Sequence, residues 1–284
     1  MRFKRVLRRR AFIYPLGALV LYVVYLTALW YLQDQLLYPG ASAKLGGDDT
    51  DRPAEFQSVW VKTEPGIRVE GWYRLGKGRQ GDSPGPAVLV GHGNYECIDD
   101  GIYHARFLAE MGCSVLLGEF RGYGRSGGRP TQEGITRDFV ALYDWLTERP
   151  EVDVKRIVLY GRSLGGGPIA QLATQRPAAV VILESAFSSA ASMAGRRLAP
   201  AFLLRDQWRT DEALRGLGRP VLILHGRSDP VIPIGEARNL HARVPGSELV
   251  EYEGGHTDFA AQDEGRYWKT IRLFLEGHGV IARE

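Results

Sequence analysis

The hydrophobic pattern divides the chain into two unequal parts. Residues 11–32 (AFIYPLGALVLYVVYLTALWYL) form one uncharged apolar run. At ~1.5 Å per residue, a helix of this length covers roughly 33 Å, enough to cross a hydrocarbon core of about 30 Å. Pro15 falls in its first turns, where a missing N–H matters least. Tyr14, Trp30 and Tyr31 lie near the two ends, where interfacial aromatics are expected. A cleaved signal peptide would have a shorter apolar region and small residues before its cleavage site, which Trp30, Tyr31 and Leu32 do not provide. The run also lacks the polar face of a soluble amphipathic helix. It predicts a retained signal anchor, followed by a membrane-proximal turn at residues 36–40 within a linker spanning 33–53, Gly/Asp-rich and mobile from residue 41.

Beyond residue 54 the pattern switches to short β-favouring runs alternating with stretches of helical period. Residues 56–61 and 67–75 predict an antiparallel hairpin turning at Glu64, Pro65 and Gly66. Apolar strands follow at 87–90, 113–117, 157–160, 180–183, 221–224 and 248–252. Helices are predicted at 97–111, 131–146, 164–175, 234–244 and 259–275, with an Ala/Ser-rich helical segment from 186 to about 204. Strands alternating with helices of about ten to fifteen residues imply an α/β fold: a mainly parallel sheet covered on both faces.

Composition changes this picture little, but charge changes it at one point. The 284 residues carry a formal net charge of +3 with 44% hydrophobic and 24% charged residues, ordinary values for a globular domain. Six of the bases (Arg2, Lys4, Arg5, Arg8, Arg9 and Arg10) precede the apolar run, and without them acids outnumber bases. No basic stripe remains on the domain, which argues against nucleic acid as a partner. The same six bases, set against Gln33, Asp34 and Gln35 after the run, orient the anchor. By the positive-inside rule residues 1–10 are a cytoplasmic tail and the domain lies across the membrane, in the periplasm of a Gram-negative cell. Cys97 and Cys113 match no zinc or redox spacing; they read as two buried thiols, with pairing in an oxidising compartment as the alternative.

The candidate chemistry sits at strand ends. The strand at 157–160 runs into Gly161-Arg162-Ser163-Leu164-Gly165, the G-x-S-x-G pattern of a nucleophile elbow, and a helical stretch follows at once. A strand that reverses into a helix this quickly holds its serine in strained backbone, and side chains two residues to either side would collide with neighbouring elements. Asp229 follows the strand at 221–224, and His256 follows the last strand. The order Ser163, Asp229, His256 predicts a triad in which His256 takes the serine proton and Asp229 orients and stabilises the imidazole. Glu184, also after a strand, is the alternative acid. Two backbone N–H groups are needed for an oxyanion hole. Leu164 supplies one, and the loop Gly91-His92-Gly93-Asn94 supplies the other, assigned to Asn94 over Tyr95. Asp258 reads as a cap of the last helix. His92 and His225 read as loop-shaping residues, and His104, His241 and His278 receive no role. No cofactor or metal is expected.

As a set these motifs resemble the α/β-hydrolase superfamily, and within it the membrane-anchored abhydrolase branch of depalmitoylases and related lipases. The resemblance covers residues 54–276 and rests on Leu36-Leu37-Tyr38-Pro39, His92-Gly93-Asn94, Phe120-Arg121-Gly122-Tyr123-Gly124-Arg125-Ser126, the elbow, Leu183-Glu184-Ser185-Ala186-Phe187, and the loops of Asp229 and His256. It implies a hydrolase domain over 54–284 with a short cap at about 186–215, in which Met193, Leu198, Phe202, Leu203, Leu204 and Trp208 line an acyl pocket or fill the core. Arg196, Arg197 and Arg205 are placed on a solvated face or against lipid phosphate. Tyr95 stands where the family often has a small residue, which implies a narrower pocket. The N-terminus has no cysteines of the kind that lipid-anchor some eukaryotic members, which speaks against protein depalmitoylation. The implied activity is hydrolysis of a carboxylic ester or thioester of a small or lipid-like acyl substrate, through an acyl-serine intermediate. The competing readings are a serine peptidase of the same fold and a non-enzymatic membrane scaffold.

Overall fold

A computed structural model describes residues 2–43, 52–64, 66–79, 83–195 and 198–283, with side chains from residue 13 onward apart from Glu64. The predicted alternation gives eight strands: β1 (Gln57–Glu64), β2 (Ile67–Arg74), β3 (Gly85–Gly91), β4 (Ser114–Gly118), β5 (Val152–Arg162), β6 (Val180–Glu184), β7 (Val221–Gly226) and β8 (Ser247–Tyr252). They form one sheet in the order β1-β2-β4-β3-β5-β6-β7-β8. All neighbours from β4 to β8 are parallel, while β2 runs antiparallel to both β1 and β4. The predicted hairpin is therefore the antiparallel edge. The central strands β3, β4 and β6 are buried throughout, which explains why they read as continuous apolar runs rather than alternating ones.

Helices cover both faces. In chain order they are α1 (Arg2–Leu37), α2 (Pro39–Ala43), α3 (Ile102–Glu110), α4 (Gln132–Thr147), α5 (Gly166–Gln175), α6 (Ala190–Gly195), α7 (Thr210–Arg215), α8 (Ile234–Arg243), α9 (Phe259–Gln262) and α10 (Glu264–Gly277). One face of the sheet packs Phe139, Leu142, Ile169 and Leu240 of α4, α5 and α8 into a single core. The other packs Leu108 of α3 with Tyr267, Ile271 and Leu275 of α10. Two expected helices are broken. Among its described residues the segment from 186 to 204 is helical over α6, with a 3₁₀ turn at Ala201–Leu203, because Gly195 and Pro200 interrupt it. The last helix divides at Asp263, whose backbone leaves the helical region (φ −134°, ψ 55°).

The N-terminal part departs most from expectation. The helix of the apolar run does not stop at residue 32 but continues to Leu37. Its segment Ile13–Leu37 is long and apolar enough to span a membrane, and none of its most apolar stretch is buried within the protein. The residues that follow, expected as a turn and the start of a mobile linker, are fastened to the domain. Tyr38 is buried in the core with Leu37 and Ala41 packed beside it. Its hydroxyl donates to Asp206 Oδ2 (2.6 Å) and accepts from Trp208 Nε1 (3.0 Å). The Gly/Asp-rich remainder, residues 44–51, lies outside the described residues.

Candidate active site

The sharp end of β5 places Ser163. Its backbone has φ 52°, the left-handed region that a serine enters only when its surroundings force it. The flanking glycines permit the turn. A Cβ on Gly161 would meet the Gly165 carbonyl oxygen at 2.6 Å, and one on Gly165 would meet that of Gly91 at 2.2 Å. The elbow thus packs directly on the end of β3 and the loop after it.

Two further strand ends bring the other polar groups to this serine. His256 Nε2 lies 3.0 Å from Ser163 Oγ, and His256 Nδ1 lies 2.7 Å from Asp229 Oδ2. A carboxylate can only accept, so Nδ1 carries the proton and donates to Asp229, leaving Nε2 to accept from the serine hydroxyl. An imidazole in this tautomer can take the serine proton. Asp229 is itself closely held: Oδ1 accepts the N–H groups of Val231 and Ile232, each at 2.8 Å. Burial pushes its carboxyl up, but hydrogen bonds from His225, His256 and the Ile232 N–H outweigh burial and hold it well below the usual carboxylate range. Asp229 therefore stays ionised.

His225, read from sequence as loop-shaping only, is part of this arrangement. Its Nε2 is 2.7 Å from the Ile232 carbonyl oxygen and 3.3 Å from Asp229 Oδ2, so it braces the acid loop from beneath. The four-residue spacing was visible, but only the loop's return path makes the two side chains meet. Ser185 (φ 48°) is another residue the sequence did not reveal; its hydroxyl donates to the His256 carbonyl oxygen at 2.9 Å. Asp258, expected as a cap, stands at the N-cap of α9 but accepts the Gly255 N–H (2.6 Å), tightening the His256 loop.

Glu184, the alternative acid, points elsewhere. Its carboxylate accepts from Tyr160, from Tyr267 (2.9 Å) and from Arg162 Nε (3.2 Å), with His104 Nε2 at 3.1 Å. Burial opposes ionisation there, but His104, Arg162 and the Tyr160 hydroxyl hold the carboxyl far below its ordinary range. Arg162 also reaches Glu96, which accepts the Gly93 N–H at 2.7 Å. One ionic chain thus ties β6 and the elbow to the loop carrying Asn94.

Ser163, Leu164 and Asn94 open onto an apolar cavity of about 220 Å³. Phe187, Met193, Leu203 and Leu204 line it from the cap side, and Val231 and Ile232 from the Asp229 loop. Of the other expected lining residues, Trp208 is buried in the core, while Leu198 and Phe202 are exposed. Tyr95 is exposed and does not border the cavity, so it does not narrow it. Arg205 pairs with Asp34 at 2.7 Å; Arg196 and Arg197 lie outside the described residues.

A mainly parallel sheet with a strained serine at a strand-to-helix turn, and a histidine and an acid brought in from the last two strands, defines the α/β-hydrolase class. Comparison with known proteins agrees. The family profile described as alpha/beta hydrolase fold matches residues 86–216, and one described as TAP-like protein matches residues 203–278. An uncharacterized protein of Mycobacterium tuberculosis is 33% identical over 263 residues, covering 91% of this chain and 92% of that one. The alpha/beta hydrolase domain-containing protein WAV2 of Arabidopsis thaliana is 30% identical, with 96% of each chain covered. An uncharacterized membrane protein of Saccharomyces cerevisiae is 28% identical over 93% of this chain and 96% of its own. Among solved structures, an alpha-beta hydrolase from Vibrio vulnificus superposes with a TM-score of 0.70 at 22% identity, covering 86% of this chain and 92% of that one. An esterase from Pyrococcus furiosus does so with 0.63 at 19% identity, covering 79% and 91%. The chain belongs to the alpha/beta hydrolase family.

Proposed function

We propose that the protein is a membrane-anchored serine hydrolase that cleaves a carboxylic ester or thioester through an acyl-serine intermediate. The observation that carries this reading is the continuous hydrogen-bonded line Ser163–His256–Asp229 at the mouth of an apolar cavity. The esterase named among the structural neighbours supports it. Residues 1–10 form a basic cytoplasmic tail and 11–32 the anchor. Residues 33–53 connect it to the hydrolase domain (54–284, short cap about 186–215), on the far side of the membrane. The apolar reach of α1 and the yeast relative's description as a membrane protein support the anchor.

In this mechanism His256 removes the Ser163 proton as Oγ attacks the acyl carbon. The resulting oxyanion is held by the N–H groups of Leu164 and Asn94, fixed dipoles that need no reorganisation as charge develops. Collapse expels the alcohol or thiol, which takes the proton from His256. Water, activated by the same imidazole, then attacks the acyl-serine, and acid and free serine are released. Asp229 keeps the imidazole in its productive tautomer throughout and offsets its charge when protonated. Turnover of p-nitrophenyl esters of increasing chain length should be measurable with the full chain and lost with Ser163→Ala. Equal turnover by Ser163→Ala would overturn the assignment.

A further inference from the structure

The cavity has a wall that belongs to no part of the hydrolase domain. Leu29, Trp30, Gln33, Leu36 and Leu37, from the last turns of α1, line it and share it with Ser163. We propose that the anchor helix is itself part of the acyl-binding site, and that the substrate is an acyl ester dissolved in the bilayer, its chain reaching Ser163 through the seam between α1 and the cap. This rests on the hydrolase reading above and assigns that site its substrate class.

The seam is built rather than incidental. Gln33 Oε1 accepts the Arg205 N–H (2.9 Å), Arg205 pairs with Asp34, and its guanidinium lies 5.4 Å over the Trp30 ring. Higher up, the Tyr22 hydroxyl donates to the Leu198 carbonyl oxygen at 3.0 Å. The cap therefore climbs α1 from Asp34 to Tyr22. Tyr22 to Leu32 is ten residues, about 15 Å of helix, which is the hydrocarbon depth of one leaflet. A carbonyl at that depth has no water to bond and is costly if left unmet; Tyr22 meets it. Among the described residues of the cap, two large apolar side chains of this climbing segment stand exposed, Leu198 (77%) and Phe202 (79%). Exposed to water they would be unfavourable, whereas against lipid they are solvated.

Gly40, just beyond the helix, donates its N–H to the Asn94 carbonyl oxygen at 3.0 Å, and Tyr123 donates to the same oxygen at 2.9 Å. The chain that leaves the bilayer thus also steadies the loop assigned to the oxyanion hole. An ester arriving along α1 meets its apolar wall first and the nucleophile last.

The test uses the full chain reconstituted in phosphatidylcholine vesicles. Leu29→Trp and Leu36→Trp fill the α1 side of the cavity, while Leu21→Trp alters a lipid-exposed position of the same helix that does not border it. The ratio of kcat/KM for decanoyl over acetyl p-nitrophenyl ester should fall by about tenfold or more in the first two variants and stay at the wild-type value in Leu21→Trp. An unchanged ratio in Leu29→Trp and Leu36→Trp would overturn the proposal. A second measurement needs no variant. An alkyl fluorophosphonate with a diazirine on its tenth carbon should label Ser163, displacing fluoride, and on irradiation cross-link to the peptide containing residues 29–37. Labelling of Ser163 with cross-links confined to the domain would reject the anchor wall and leave the hydrolase reading intact. Absence of labelling would reject both.

Discussion

Ser163 has a left-handed backbone and Asp229 an unusually stabilised carboxylate, and these two residues carry the most specific expectations. Asp229 accepts two backbone N–H groups besides its histidine partners, so replacing it with Asn removes charge while leaving shape. Asp229→Asn should lower kcat on the order of 10⁴-fold, the loss seen when the orienting acid of another serine hydrolase is so replaced, while Glu184→Gln loses less than about tenfold. Steady-state kinetics of both variants decide this; a reversed order would make Glu184 the acid. The two carboxylates also set acid stability. Each is depressed in the folded protein, so each contributes stability that is present above its unfolded value, about 3.9 for Asp and 4.3 for Glu. That contribution is lost as pH falls through the lower folded value. Glu184→Gln should therefore be less stable than wild type at neutral pH, and the gap should narrow as pH drops below about 4; a gap that stays constant in thermal melts would contradict the buried charge. At this scale the meeting of Ser163, Asp229 and His256 was legible because each follows an apolar strand in an order the fold dictates. His225, Ser185 and Glu96 were not, because their partners lie across loops whose paths leave no periodic trace.

At the level of elements, the elbow and the loop after β3 act as one unit. Gly165 lies so close to Gly91 that a methyl group cannot enter without separating them. Gly165→Ala should cost about 1–3 kcal/mol by overpacking, seen as a lower Tm, and should depress kcat more than it raises KM, because the N–H groups proposed for the oxyanion hole move apart. A variant with wild-type Tm and kcat would mean that the contact is softer than its geometry. The strands and the elbow were readable from apolar runs and glycine spacing. The cap was not: an Ala/Ser-rich composition favours helix, but Gly195 and Pro200 cut it into α6 and a single 3₁₀ turn, and the break frees Leu203 and Leu204 to line the cavity.

For the molecule as a whole, the N-terminal helix is fastened to the domain by the packing of Leu37, Tyr38 and Ala41 into the core. The apolar run revealed a helix long and apolar enough to cross a membrane, but Tyr38 gave no periodic sign that it would enter the core. Its burial depends on Asp206 and Trp208, far away in sequence. Topology is testable directly: a reporter active only outside the cytoplasm, fused after Glu284, should be active, and activity from a cytoplasm-only reporter at that site would reverse the orientation. Both thiols are free and buried. Burial pushes the Cys113 thiol up to about 12 and raises that of Cys97 further, with Asp99 adding to the effect. Neither should react with maleimide in the native state, and both should react in denaturant. The central claim, that one activated serine defines the protein's chemistry, is tested most directly by fluorophosphonate labelling of the full chain followed by peptide mass spectrometry. The account predicts a single adduct on Ser163, absent in Ser163→Ala and sharply reduced in His256→Ala. An adduct on Ser126, Ser185 or Ser228, or undiminished labelling of Ser163→Ala, would contradict it.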